Sequence, residues 1–303
     1  MNTIVFQDHS FSNTHTLILE NLSVKSIEIG IDCFNGNSSY EGRRLDSIVM
    51  NKLSLKNNGL LQELKIPSGS FSSYKEIEIS NLMNLKRIEI EGEKESKSAP
   101  FQPSSSFVTN GTPNLEVMKL GSKVCGSGSV FSIDSSMIKE VEIGDGCFQG
   151  KERDSKYGGL AHHLSMVNKP ELISTKIGKS SFVYFDTYNL KNNPKQLIAS
   201  VSSSKSWSSF GRRLEEDLPS FSGVKEIVMS NLTSLEETSF GKGSFPNVTV
   251  INLIDLPVVK NITLEEGSFG KTEELILMSD RCYTDLDRKS TRQNSSHHTE
   301  SGM

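Results

Sequence analysis

The chain has 303 residues, of which 37 are Asp or Glu and 33 are Lys or Arg, giving a formal net charge of −4. That balance lacks the basic excess expected of a nucleic-acid or anionic-membrane binder. No run approaches 18 apolar residues, so no membrane-spanning helix is predicted, and no signal peptide is visible.

Taken in chain order, one unit recurs. Thr3 to Phe6 reads as a strand and leads to Ser10-Phe11; Ile27-Glu28-Ile29 leads to Cys33-Phe34. Ser70-Phe71, Cys147-Phe148, Ser181-Phe182, Ser244-Phe245 and Ser268-Phe269 continue the series. An apolar residue stands five positions before each Phe: Phe6, Ile29, Ile66, Ile143, Ile177, Phe240 and Leu264. A second alternating run follows, as in Ile77-Glu78-Ile79 or Val250 to Leu253. Period-two alternation predicts strands with one face inward and the intervening Glu in water. Asn-Leu or Asn-x-Pro separates the two runs at Asn21, Asn81, Asn168, Asn192 and Asn231, with Asp255 in the same role. Asn and Asp tolerate the left-handed region and suit a sharp corner, so a stacked row of corner Asn is expected. In the degenerate turns, Trp207, Cys125 and Glu95 fall at the Phe slot.

The period is about 23–24 residues, which predicts a mainly β repeat solenoid: a leucine-rich-repeat-like, right-handed parallel β-solenoid of about ten turns. At about 4.8 Å per turn it would be on the order of 50 Å long. Residues 1–279 form this one domain, residues 280–286 a frayed end, and residues 287–303 a disordered tail. Asp287 to His297 matches the conceptual translation of a common sequencing adapter with one mismatch, at Gln293, so the tail is expected to be an artefact. The repeat begins and stops inside units, which reads as truncation at both ends.

Insertions are expected just after the Phe at Asn35 to Asp46, Gln149 to His163 and Ser208 to Gly223, with a fourth, Ser- and Pro-rich, mobile loop at Lys94 to Ser106. Gly42-Arg43-Arg44-Leu45-Asp46 and Gly211-Arg212-Arg213-Leu214-Glu215 share a string. Arg grips carboxylates and phosphates bidentately, so Arg43, Arg44, Arg212 and Arg213 are the candidate binding residues, on one common edge. The simpler reading is that each Arg pairs with the acid that follows it.

Catalytic chemistry finds no motif. There is no phosphate-binding loop, no metalloprotease helix motif and no nucleophile elbow, and His9, His15, His162 and His163 have no sequence partner. Cys33 and Cys147 stand in the small slot before Phe, about four turns apart, and no C-x-x-C spacing suggests zinc. Free buried thiols, no metal, no cofactor and no enzyme activity are expected. Sequons occur at Asn21, Asn37, Asn110, Asn231, Asn247 and Asn261.

The run Val141-Glu142-Ile143-Gly144 to Cys147-Phe148 resembles the BspA-like class of leucine-rich repeats, over residues 3–279. The second strand run with Asn-Leu-Pro departs from that class, toward repeat families of unicellular eukaryotes. The resemblance implies a protein-binding scaffold without catalysis. The other reading is a structural or adhesive surface repeat carrying glycans.

Overall fold

The computed structural model describes residues 3–36, 51–94, 97–104, 106–150, 163–202 and 220–278. Among them every regular element is a β-strand, twenty in all, numbered in chain order. Four-residue strands β1 (Thr3–Phe6), β3 (Ser26–Ile29), β5 (Glu63–Ile66), β7 (Arg87–Ile90) and β9 (Val117–Leu120) run parallel in one sheet. It continues through β11 (Glu140–Ile143), β13 (Ser174–Ile177), β15 (Ile198–Val201), β17 (Glu237–Phe240) and β19 (Asn261–Leu264), ten strands in all.

The intervening strands form two parallel five-stranded sheets. One holds β2 (Thr16–Glu20), β4 (Lys52–Lys56), β6 (Glu76–Ser80), β8 (Ser106–Asn110) and β10 (Val130–Ile133). The other holds β12 (His163–Val167), β14 (Thr187–Lys191), β16 (Glu226–Ser230), β18 (Val250–Ile254) and β20 (Glu274–Met278). The arrangement is a solenoid-like, all-β repeat, as the alternation predicts. Register is strict: Ile88 pairs with Met118, which pairs with Val141, so one inward residue sits on the next. A one-residue slip would turn Glu89 and Lys119 into the core.

The Phe slot is the strongest repeat feature. Phe11, Phe34, Phe71, Phe101, Cys125, Phe148, Phe182, Phe221, Phe245 and Phe269 all have φ between 50° and 56°. That left-handed backbone is unfavourable for a bulky side chain. Ring packing offsets it: Phe11 on Phe34, Phe34 on Phe71 and Phe71 on Phe101 lie 5.4, 5.1 and 5.3 Å apart and nearly parallel. Beyond Cys125 the column resumes with Phe148, Phe182, Phe221, Phe245 and Phe269 at 5.2, 5.5, 4.7 and 5.6 Å. Where Cys125 interrupts it, Phe131 packs edge-on against Phe148 at 5.1 Å.

The small residue before the Phe is explained by hydrogen bonding as much as by size. Ser70 Oγ donates to Gly30 O and accepts from Cys33 N; Ser181 Oγ does the same with Gly144 O and Cys147 N. Cys147 Sγ reaches Gly121 O at 3.1 Å. The glycines let turns approach closely: a Cβ on Gly92 would lie 2.0 Å from the backbone nitrogen of Ser122.

Two slot assignments need correction. After β7 the slot is filled by Phe101, not Glu95, and after β15 by Phe221, not Trp207. Both turns carry their extra residues before the Phe, which a fixed count from the strand cannot see. Ala99, Pro100, Phe101 and Ser104 are buried, so part of the supposed fourth loop is core.

Candidate interaction edge

Each turn has two connections, and they behave differently. From a strand of the ten-stranded sheet to the next strand, six of ten links hold nine residues, as in 7–15 and 67–75; β1 to β2, β5 to β6, β9 to β10, β13 to β14 and β17 to β18 are of this kind. The link from β19 to β20 also holds nine, and the remaining four, 30–51, 91–105, 144–162 and 202–225, are longer. All insertions therefore fall on this side. Their attachment differs, though: those after β3 and β11 follow the Phe, whereas those after β7 and β15 precede it. The two Arg-Arg strings thus belong to different positions of the repeat, correcting the expectation of equal phase. Arg43, Arg44, Arg212 and Arg213 themselves lie outside the described residues, as do Trp207, His162, Cys282 and residues 279–303.

The opposite connections, back to the ten-stranded sheet, never vary by more than one residue. The first is 21–25 and the other eight have six residues, from 57–62 to 255–260. Their first position is a left-handed Asn or Asp at 21, 57, 81, 168, 192, 231 and 255. The side chains form a ladder at the surface: Asn81 Nδ2 donates to Asn57 Oδ1, Asn192 to Asn168 and Asn231 to Asn192, at 3.0, 2.8 and 3.1 Å. The expected row exists, but these side chains bond to one another. The backbone amides at this corner are satisfied by carbonyls of the next turn, as Asn57 N by Ser80 O. Asn110 is not a rung, since Gly111 takes its left-handed position.

The second position points inward. It is buried Leu at 82, 232 and 256. Buried Asn58 and Asn193 replace it, each donating to a strand carbonyl (Leu19 O, Met166 O) and accepting a backbone amide (Leu22 N, Lys169 N). Lys169 occupies this slot where β10 and β12 fail to pair. Its Nζ donates to Ile133 O and Ser135 O at 3.0 and 2.9 Å, standing in for missing ladder bonds, and burial pushes the amine below its ordinary range.

The same corner links carry exposed apolar residues: Leu60, Met137 and Val258 at the fourth link position, Met83 at the third, and Ile173 and Leu197 at the sixth. Ile173 and Leu197 are adjacent rungs, since Leu197 N–H donates to Ile173 O at 2.8 Å. Exposed apolar side chains that line up in this way mark contact surfaces more than isolated ones do. Aligning the sequence on Phe hides the Ile173–Leu197 pair; aligning it on the constant corner links, where both are the sixth residue, would have revealed it.

Elsewhere the surface is occupied by its own charges. Arg87 meets Glu89 and Glu63 at 3.1 and 3.6 Å, and Lys119 meets both Glu140 and Glu142 at 3.1 Å. On the other sheet Lys56 and Lys52 hold Glu78 at 2.6 and 3.2 Å, and these partners keep its carboxyl below the usual range. A shallow depression of about 320 Å³ is lined by Ile29, Lys65, Ile66, Pro67, Glu89 and Glu91.

The cysteines are core atoms. Cys33, Cys125 and Cys147 are buried and unpaired, and burial pushes the Cys147 thiol up to about 12 and that of Cys125 well above its ordinary value. Such thiols carry little thiolate at neutral pH. His15 Nδ1 is engaged by Asn51 Oδ1 at 2.7 Å and His163 Nδ1 by Thr187 Oγ1 at 2.8 Å. Among the described residues no helix is long and apolar enough to cross a membrane, and no group of three His, Cys, Asp or Glu could hold a metal ion. Comparison with protein-family models, curated proteins and solved structures finds no match for the chain.

Proposed function

We propose that the chain is a non-catalytic protein-recognition scaffold of the leucine-rich-repeat kind, a right-handed solenoid of about ten turns resembling the BspA-like class. The supporting observation is the constant-length corner with its exposed apolar residues Leu60, Met83, Met137, Ile173, Leu197 and Val258, of which Ile173 and Leu197 are adjacent rungs. A stacked array holds such side chains in fixed register without a groove or a reactive centre. Neighbouring charges are satisfied within the chain, which leaves apolar contact as the free source of affinity. The partner is taken to be a protein, with no nucleic acid and no cofactor.

The test is affinity capture from a lysate of the source organism, comparing the natural chain with Leu197→Asp and with a variant carrying Ala at Arg43, Arg44, Arg212 and Arg213. Loss of a partner with Leu197→Asp alone supports the corner as the site. Loss with the Ala variant alone moves the site to the insertions. Identical partners for all three sink both. The adhesive, glycan-bearing reading draws on the exposure of the sequon residues Asn21, Asn110, Asn231 and Asn261. A mobility shift of host-made protein on enzymatic deglycosylation would favour it.

A further inference from the structure

We propose that the row of last corner-link residues, centred on Ile173 and Leu197, is a two-fold self-association surface whose partner is a second copy of this chain, lying antiparallel. The proposal rests on reading this corner as a protein-binding edge. The last residue of each corner link forms an unbroken ladder of backbone hydrogen bonds. Glu116 N bonds Lys86 O, Lys139 N bonds Glu116 O and Ile173 N bonds Lys139 O; Leu197 N bonds Ile173 O, Glu236 N bonds Leu197 O and Lys260 N bonds Glu236 O. These side chains are therefore evenly spaced at one per turn, about 4.8 Å.

Read along the solenoid, the row runs Lys, Glu, Lys, Ile, Leu, Glu, Lys from Lys86 to Lys260. Around a centre between Ile173 and Leu197 it is complementary to its own reverse. A two-fold axis there sets Ile173 against the partner's Leu197, Lys139 against the partner's Glu236, and Glu116 against the partner's Lys260. The fourth link position follows the same rule, with Glu171 against the partner's Lys195. An isologous interface demands this property, that residue i meets j while j meets i. A parallel copy in register would set like charges together throughout.

Each charge also has a partner in its own chain: Lys139 and Glu116 at 2.7 Å, Lys195 and Glu171 at 2.7 Å, Lys260 and Glu236 at 3.0 Å. Closing the dimer therefore forms four-charge boxes around an apolar centre and buries no lone ion. Glu140, which the operation carries toward Glu237, is already held by Lys119 at 3.1 Å. The uniform link length keeps the edge straight, and all longer connections leave from the other side.

The strip is about 30 Å long, and at about 15 Å wide it would bury roughly 900 Å² in total, below the standard interface. Weak association is expected, with Kd on the order of 100 µM.

The experiment is analytical ultracentrifugation of the full chain from about 5 to 500 µM, which brackets that affinity. A monomer–dimer equilibrium is expected. Leu197→Asp, at an exposed site, should weaken it about tenfold or more with an unchanged melting temperature. The decisive variant exchanges Glu116→Lys, Lys139→Glu, Glu236→Lys and Lys260→Glu together, preserving the 116–139 and 236–260 ion pairs with their signs reversed. It should dimerise with itself yet fail to mix with the natural chain in an energy-transfer assay. A chain monomeric throughout, open-ended oligomers, or free mixing of the two forms would overturn the proposal. A monomer that still loses a captured partner with Leu197→Asp would leave the recognition reading standing without self-association.

Discussion

The turns on β3 to β11 and those on β13 to β19 share one backbone but divide polar and apolar groups in opposite ways. In the first set the middle inward residues are Ile27, Leu64, Ile88, Met118 and Val141, and the outward face is laced by Arg87, Glu89, Lys119 and Glu142. In the second set the corresponding inward residues include Thr175, Ala199 and Thr238. Buried Gln196 and Asn193 replace corner Leu there, and Gln196 Nε2 bonds Thr175 Oγ1 at 3.2 Å. Outside, Ser174, Ser200, Ser239 and Thr263 stand where charges stood, and among the described residues no ion pair links the outward side chains of β13 to β19. Both sets bury hydrogen-bonded polar groups in their corners, as at Asn58 and Asn193, but only the second places Thr at the middle inward strand position. There Thr238 Oγ1 has no partner among the described residues, nor has Ser244 Oγ nearby in sequence. The ion pairs of the second set lie in the links, Lys195 with Glu171 and Lys260 with Glu236, and the corner between them holds the apolar centre at Ile173 and Leu197. Hydrogen exchange should therefore be faster in the second set.

The largest expected effect tests what the two sets share. Phe71→Ala and Phe245→Ala should each cost about 3–5 kcal/mol, because both rings are fully buried between stacked neighbours. Unequal losses in denaturant titrations would show that the column is not one continuous unit.

Next comes the joint between the sets. Lys169→Met leaves Ile133 O and Ser135 O without their donor, and should cost about 1–3 kcal/mol. Its pH dependence has a definite sign. Burial lowers the folded-state pKa, so the charged form is penalised in the fold and the natural chain gains stability as pH rises from that value toward 10.5. The Met variant lacks this gain, so the difference between the two proteins should widen in alkaline denaturation curves. A constant difference would argue against a desolvated amine.

Thr238→Val removes the orphaned hydroxyl and should stabilise the second set by about 1 kcal/mol. A loss of stability instead would mean that the hydroxyl has a partner such as an internal water.

Smallest is the surface of the first set. Lys119→Gln should cost less than about 1 kcal/mol, and the difference should shrink in about 1 M salt, where the screening length is about 3 Å. The carboxyls of Glu78, Glu91 and Glu116 are held below their ordinary 4.5 by hydrogen bonds from Lys56, Lys94 and Lys139. Depressed carboxylates stabilise the fold above 4.5, and that contribution is lost as pH falls through their folded values. Acid titration monitored by circular dichroism should show the first set to be the more acid-sensitive one.

What the amino-acid sequence determined by itself was the local rule. Alternation set the strands and their inward faces, the small-residue-Phe pair set the column, and corner Asn set the ladder, because each depends on contacts at a constant offset between neighbouring turns. Cys125 at a Phe slot and Cys33 and Cys147 at small slots were legible for the same reason. Register across unequal turns was decided only in three dimensions. Phe101 and Phe221 sit in the column although insertions displace them along the chain, since burial selects the ring that can stack and not the residue at a fixed count. The break between β10 and β12, the amine of Lys169 that bridges it, and the alignment of Ile173 with Leu197 also came from the tertiary structure. Each arises from residues more than twenty positions apart that only the stacking of whole turns brings together.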